Sequence, residues 1–171
     1  SYQSASSSVT VDASGASGNG SASGGGGNDT IFGFWNIKGS DFNDSLSSNL
    51  GNNIIEGGFG NDTMDGGAGS DTLNYTSATS AVTVNLSVST ASGGAGNDSF
   101  VNFENVMASN FNDSIVGDSG VNSIFGLLGD DIIEGGLGND FMNGGAGLDT
   151  LSYASATSSV TVNLAASTSS G

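Results

Sequence analysis

Large apolar residues stand one at a time along this chain, and most of them return every nine residues. Ile31, Leu46, Ile55, Met64, Leu73, Phe100, Ile115, Ile124, Ile133, Met142 and Leu151 each follow an Asp or Asn by two positions: Asp29, Asp44, Asn53, Asp62, Asp71, Asp98, Asp113, Asn122, Asp131, Asp140 and Asp149. The segments around them are eleven nonapeptides such as GGFGNDTMD from Gly57 and GGAGSDTLN from Gly66. Side chains alternate across a strand, so one apolar residue at position eight predicts a three-residue strand with a single side chain inward and positions seven and nine facing out. Positions one to six, rich in Gly, Asn and Asp, predict tight turns. Two nonapeptides then close a turn of 18 residues: an all-β solenoid with strands on two sides.

A longer period lies above the short one. SYQSASSSVTVD at Ser1, NYTSATSAVTVN at Asn74 and SYASATSSVTVN at Ser152 open three units, 1–73, 74–151 and a partial 152–171, within one continuous solenoid. The second unit carries one more nonapeptide than the first, an insertion that keeps the register, as in solenoids that grow by whole repeats. The SAVTVNL stretch of Ser80–Leu86 alternates like a strand, and Asn74–Ser92 reads as a rung without a loop motif and without metal.

Composition changes the picture in one respect. Gly, Ser and Asn richness suits a disordered linker, but disorder keeps no such register. With 17 Asp and Glu against Lys38 alone, the formal charge is -16, and there is no Cys, His or Arg. That charge disfavours nucleic acid and anionic membrane surfaces and attracts divalent cations. No run is long enough to insert in a membrane. No disulfide is possible, so an extracellular chain needs another staple, and a metal is the obvious one. The chain lacks an initiator Met and a signal peptide, which reads as a processed chain or a fragment.

Loops 18 residues apart stack at the strand spacing of about 4.8 Å. Carboxylates that close repel unless a cation lies between them. Oxygen-only ligands, from Asp side chains and the carbonyls of an open Gly loop, favour a hard ion, and flexible coordination favours calcium. At this point GGFGNDTMD, GGAGSDTLN, GGLGNDFMN (Gly135) and GGAGLDTLS (Gly144) resemble the glycine-rich nonapeptide of hemolysin-type, or repeats-in-toxin (RTX), calcium-binding proteins. The resemblance implies a right-handed parallel β-roll with calcium between stacked loops, folding upon calcium binding, and export by a type I system.

The candidate metal ligands are Asp29, Asp44, Asp62, Asp71, Asp98, Asp113, Asp131, Asp140 and Asp149. With them come the loop carbonyls of Gly24, Gly26, Gly57, Phe59, Gly66, Ala68, Gly93, Ala95, Gly126, Leu128, Gly135, Leu137, Gly144 and Ala146. Pairing loops 18 apart, with shorter steps from Gly24 to Gly39 and from Gly93 to Ala108, gives about seven calcium sites, whose charge of about +14 nearly cancels -16. Asn53 and Asn122 stand where the ligand Asp belongs, so sites using those loops are weaker or empty. Phe42 and Phe111 replace the Gly of position four beside Asp44 and Asp113.

Other chemistries fit less well. Acid pairs such as Asp130 and Asp131 read as ligand plus surface carboxylate, and without His, Cys or Arg most nucleophilic and oxyanion chemistry lacks its parts, so the chain is not expected to be an enzyme. No D-x-D-x-D-G loop marks an EF-hand. GFWNIK (Gly33–Lys38) and NFENVM (Asn102–Met107) each interrupt the ladder; Phe34 and Trp35 there suit packing where the roll changes width better than a carbohydrate platform. A row of outward Thr that would suit ice is missing from position three of the loops. That column instead holds Leu50, Phe59, Leu128 and Leu137, a recurring apolar row that suggests lateral contacts. Two function classes remain: an extracellular or cell-surface structural module that self-associates into a filament, surface layer or adhesin, or the secretion and folding module of an exported protease, lipase or toxin.

Overall fold

The structure, a computed structural model, describes residues 1–15, 19–162 and 164. Among them it contains strands and turns and no α-helix. The strands run β1 (Val9–Gly15), β2 (Asn19–Gly24), β3 (Gly27–Ile31), β4 (Ile37–Lys38), β5 (Ser45–Ser47), β6 (Ile54–Glu56), β7 (Thr63–Asp65) and β8 (Thr72–Asn74) in the first half. The second half adds β9 (Val82–Asn85), β10 (Thr90–Gly93), β11 (Gly96–Val101), β12 (Asn105–Met107), β13 (Ser114–Val116), β14 (Ser123–Leu128), β15 (Ile132–Glu134), β16 (Phe141–Ala146) and β17 (Thr150–Leu151).

Two sheets face each other. The first has eleven strands in the order β17-β15-β13-β9-β10-β11-β7-β5-β1-β2-β3; the second has six, β16-β14-β12-β8-β6-β4, all parallel. The 18-residue period sets the register: Leu46 pairs with Met64, Ile55 with Leu73 and Ile115 with Ile133. This is the two-sided solenoid that the nine-residue pattern predicts, in the parallel β-roll form that the resemblance implies. Its core is the column of position-eight side chains. Leu46, Ile55, Met64, Leu73, Phe100, Ile115, Ile124 and Ile133 are all buried, and the column opens only towards the ends, where Ile31 and Met142 are half-buried and Leu151 is exposed.

The roll departs from the sequence reading in the segments that open each unit. Ser80–Leu86 forms the expected alternating strand, with Val82 and Val84 buried and Thr83 exposed. It does not make a rung of its own, however. β9, β10 and β11 form an antiparallel meander inside the larger sheet, and β1, β2 and β3 repeat it. The Gly24 and Gly93 nonapeptides are therefore hairpin turns, and the shorter steps to Gly39 and Ala108 are not made: β5 pairs with β1 and β13 with β9. A period-two run of Val and Thr favours a hairpin over a loop-strand rung.

The additional nonapeptide of the second unit has a second consequence. It keeps the nine-residue register but adds half of an 18-residue turn. The first unit ends on β8 in the six-stranded sheet, whereas the second ends on β17 in the eleven-stranded one. Residues 157–162 of the third unit form no strand, and the rest of its SYASATSSVTVN pattern falls partly outside the described residues. No helix among the described residues is long and apolar enough to cross a membrane.

Candidate metal centre

Position six of the nonapeptide is buried wherever rungs lie on both sides of it. Asp44, Asn53, Asp62, Asp71, Asp98, Asp113, Asn122 and Asp131 are all buried, while Asp140 is half-buried and Asp29 and Asp149 are exposed. The loop itself explains how a carboxylate comes to lie inside. At position one a Cβ would overlap the carboxylate of the same loop, as at Gly57 over Asp62 and Gly126 over Asp131. Gly58 and Gly60 have φ of 105° and 120°, a region that favours glycine. Gly thus removes the obstacle to folding the Asp back over its own loop and supplies the two left-handed residues that make the loop.

A ladder of hydrogen bonds then links each loop to the next. The Asp44 N–H donates to Asp62 Oδ1 at 2.8 Å, Asn53 N–H to Asp71 Oδ1 at 2.7 Å, Asp113 N–H to Asp131 Oδ1 at 2.8 Å and Asp131 N–H to Asp149 Oδ1 at 3.1 Å, each across 18 residues. Across the inserted meander the step doubles: Asp62 N–H donates to Asp98 Oδ1 at 2.9 Å, 36 residues on. Position five runs a ladder in the opposite sense, as from Asn61 N–H to Asn43 Oδ1 at 2.8 Å and from Asp130 N–H to Asn112 Oδ1 at 2.9 Å.

Oδ1 of each ladder Asp is spent on its neighbour, and the loops differ in what meets Oδ2. In Asp62, Asp71 and Asp131 that Oδ2 is buried with no hydrogen-bond partner. A buried, unpaired carboxylate oxygen is costly and calls for a counter-charge. Lys38 cannot supply it, because its Nζ is bound to Glu56 Oε1 at 2.6 Å. Burial, followed by the nearby Asp98 and Asp44 carboxylates, pushes Asp62 up to about 7. Burial also pushes Asp71 up to about 6, with Glu104 and Asp65 adding to it, and raises Asp98 and Asp131. No three acidic side chains converge among the described residues. The donor set at each stacked step is therefore one or two carboxylates with backbone carbonyls, which fits a hard, oxygen-seeking divalent ion.

Not every position-six residue is left open. Asp44 Oδ2 accepts from the Ser40 N–H at 2.5 Å and from Ser40 Oγ at 3.0 Å; Asp113 Oδ2 accepts from the Ser109 N–H at 2.7 Å, with Ser109 Oγ on Oδ1 at 2.7 Å. These are the two loops with Phe42 and Phe111, and the protein itself satisfies their carboxylates. Asn53 and Asn122 use their amides as donors, Asn53 Nδ2 to the Trp35 carbonyl at 2.5 Å and Asn122 Nδ2 to the Glu104 carbonyl at 2.9 Å. Asp98 Oδ2 accepts from the Tyr75 hydroxyl at 3.0 Å, and Asp29 Oδ2 from Tyr2 at 3.3 Å. Asp29 thus lies on an edge hairpin, away from the Asp44 loop with which it was expected to stack.

Five of the expected carbonyls are placed along these edges by their contacts. That of Gly57 lies against Gly39, that of Gly135 against Gly117 and that of Gly144 against Gly126, each one turn on; those of Ala95 and Ala146 accept the N–H of Gly60 and Gly129 at 3.0 Å. One acidic residue escaped the sequence reading. Glu104 Oε2 accepts from the Asp71 N–H at 2.8 Å, in the ladder position of an Asp. Its signal was present: Glu104 precedes the buried Val106 by two residues, the offset that marks position six.

A family model described as "RTX calcium-binding nonapeptide repeat" matches residues 14–35, 38–73, 104–131 and 116–151. Among curated proteins none matches the chain. With the repeat covering more than half of the sequence and folded as a roll of stacked loops, the chain belongs to the RTX calcium-binding nonapeptide repeat family.

Proposed function

We propose that this chain is a calcium-ordered structural module, a building block of a secreted filament, surface layer or large adhesin. The observation that carries the calcium part is the set of buried, unpartnered Oδ2 atoms of Asp62, Asp71 and Asp131. Calcium would lie along the loop edges, held by these oxygens with the position-one and position-three carbonyls, and would supply the charge that brings stacked carboxylates together. The chain's residues do the rest: Gly opens the cradle, Oδ1 fixes the next loop, and the apolar column seals the interior. Asp140 and Asp149 extend the ligand row towards the open end.

The structural role is supported by repetition of one joint. The YxSA turn is built three times, with Ala5, Ala78 and Ala156 each donating N–H to the carbonyl of Tyr2, Tyr75 and Tyr153 at 2.9–3.0 Å. A module made of such joints lengthens without changing its chemistry. The apolar loop tips Leu50, Phe59, Leu128 and Leu137, between 38% and 73% exposed, offer lateral contacts.

The test is circular dichroism of the calcium-free chain titrated with calcium at neutral pH, followed by electron microscopy. A coil signal that turns to β in the millimolar range, with ordered assemblies, is expected. A full β signal in excess chelator would refute the calcium-ordered reading. The second reading, a secretion and folding module of an exported protease, lipase or toxin, rests on the type I secretion context of RTX repeats. A protease or hydrolase motif upstream in the same reading frame would favour it.

A further inference from the structure

We infer that the outer face of the six-stranded sheet binds a neutral, extended glycan chain, with Trp35 as its stacking platform. The inference rests on the calcium-ordered roll of the preceding reading and adds to it a ligand, a groove and the residues that grip.

The Trp35 ring does not pack into the roll as the sequence pattern suggests. It is 50% exposed, while Phe103 in the matching segment of the second unit is buried against Phe100. The ring lies instead on the next loop, where a Cβ at Gly51 would overlap it. Glycine leaves that seat open, and the opposite face of the ring meets solvent. The backbone beneath it is fixed. The Phe34 carbonyl accepts from Asn49 Nδ2 at 3.2 Å, the Trp35 carbonyl from Asn53 Nδ2, and Asn36 Oδ1 from the Ile54 N–H at 2.9 Å. A platform held this way loses little freedom on binding. Asn53 also donates its N–H to Asp71 Oδ1, so the platform is tied to a loop that calcium orders.

From Trp35 a groove of about 560 Å³ runs along the roll axis, over Ile54, Thr72, Asn105 and Ser123 on successive strands. Met107 and Phe125 line its far end. That volume falls within the range of ligand sites, about 300–1,000 Å³. Four strand spacings of about 4.8 Å give it a length of roughly 19 Å. In a chain of net charge -16, none of the described residues lining this groove is charged.

A pyranose ring carries C–H bonds on its faces and hydroxyls around its rim. The faces suit an aromatic ring, and the rim needs donors and acceptors already in place. Asn36 and Asn52 spend Oδ1 on the N–H of Ile54 and of Ser70, and each keeps an Nδ2 donor with no partner among the described residues. Asn105 does the reverse. Its Nδ2 donates to Ser70 Oγ at 2.9 Å and to the Asp71 carbonyl at 3.1 Å, which leaves Oδ1 as an acceptor. The protein thus orients each amide and leaves its other end for the ligand. A straight sheet face favours an extended chain over a coiled one, and the surrounding negative charge disfavours an anionic one. The second unit has Glu104 in place of Trp35, so the chain carries one such platform.

Trp35 is the sole tryptophan, so its fluorescence reports the groove directly. In millimolar calcium, cellohexaose or β-linked mannohexaose should shift the emission and saturate, and the coiled maltohexaose and the anionic oligogalacturonate should bind more weakly. Asn105→Ala should weaken binding about fivefold, the worth of one hydrogen bond, with the calcium-induced β signal intact. In a gel holding the soluble polymer of the same glycan, Trp35→Ala should lose its retardation. Leu137→Ala, at an exposed loop tip outside the groove, should keep it. No saturable response to either β-linked hexasaccharide, with calcium-induced folding intact, would overturn the groove and leave the module reading in place. Equal affinity for maltohexaose would overturn the extended shape. Emission that shifts with protein concentration alone would assign the face to a second copy instead. A chain fully β in excess chelator that still binds would refute the calcium-ordered reading alone.

Discussion

The Nδ2 of Asn53 lies 2.5 Å from the carbonyl oxygen of Trp35, one turn earlier, and Asn122 repeats the contact on Glu104 at 2.9 Å. Trp35 and Glu104 belong to the two segments that interrupt the nonapeptide ladder, so the loops stacked on them meet a carbonyl. An amide donor serves there where a carboxylate would repel. Asn53→Ala is expected to cost about 1 kcal/mol, because it leaves the part-buried Trp35 carbonyl without its donor, read by urea unfolding in saturating calcium. The number of bound calcium ions should stay unchanged. Asp131→Ala, in a loop with neighbours 18 residues away on both sides, should lower that number and raise the calcium midpoint further. Equal stoichiometric losses from both substitutions would refute this division of labour.

Protons compete for the same oxygens. Asp62 is pushed up to about 7 and Asp71 to about 6, chiefly by burial, against about 4 for a free carboxylate. A raised folded-state value means that protonation favours the folded chain; the stabilisation is complete below about pH 4 and is lost as pH rises through 6 to 7. Without calcium the chain should therefore show more β signal at pH 4.5 than at pH 8, and its calcium affinity should fall as pH falls from 8 to 5. A calcium-free chain more ordered at pH 8 would contradict the buried-carboxylate account.

The roll was legible because its determinants are local. Position eight tells a strand's inside from its outside within three residues, and Asp62 or Ile55 needs only its own loop to be placed. The meanders were not, because Gly24 and Gly93 open loops that spell the nonapeptide while Val9–Val11 and Val82–Val84 pair antiparallel beside them. Pairing between distant segments outweighs the loop motif there. Likewise, the hydrogen bonds from Ser40 to Asp44 and from Ser109 to Asp113 depend on a fold-back that spacing alone does not reveal.

Leu127 occupies position two, where Gly58, Gly67, Gly136 and Gly145 have φ between 86° and 105°, and it adopts φ 78° itself. A side chain in the left-handed region is strained. Leu127→Gly should therefore stabilise the calcium-saturated chain by about 1 kcal/mol, as a higher urea midpoint with an unchanged slope. A lower midpoint would mean that the packing of the half-buried Leu127 outweighs its backbone strain.

Glu104 tests whether the ligand row is defined by side-chain placement or by the repeat's spelling. Its Oε2 accepts the Asp71 N–H, its charge helps to raise Asp71, and the Oδ2 of Asp71 is buried without a partner. Those features belong to the steps between consecutive nonapeptide loops, although Glu104 lies in NFENVM. Glu104→Gln keeps an oxygen for the Asp71 N–H and removes the charge. One bound calcium fewer is expected, measured by elemental analysis of the dialysed protein, together with a raised calcium midpoint for folding. Glu104→Asp tests the reach of the same carboxylate and should retain the ion more weakly. If Glu104→Gln binds as many ions as the unaltered chain, the step at Asp71 is completed by carbonyls and Asp71 alone, and the ligand row ends where the nonapeptide spelling ends.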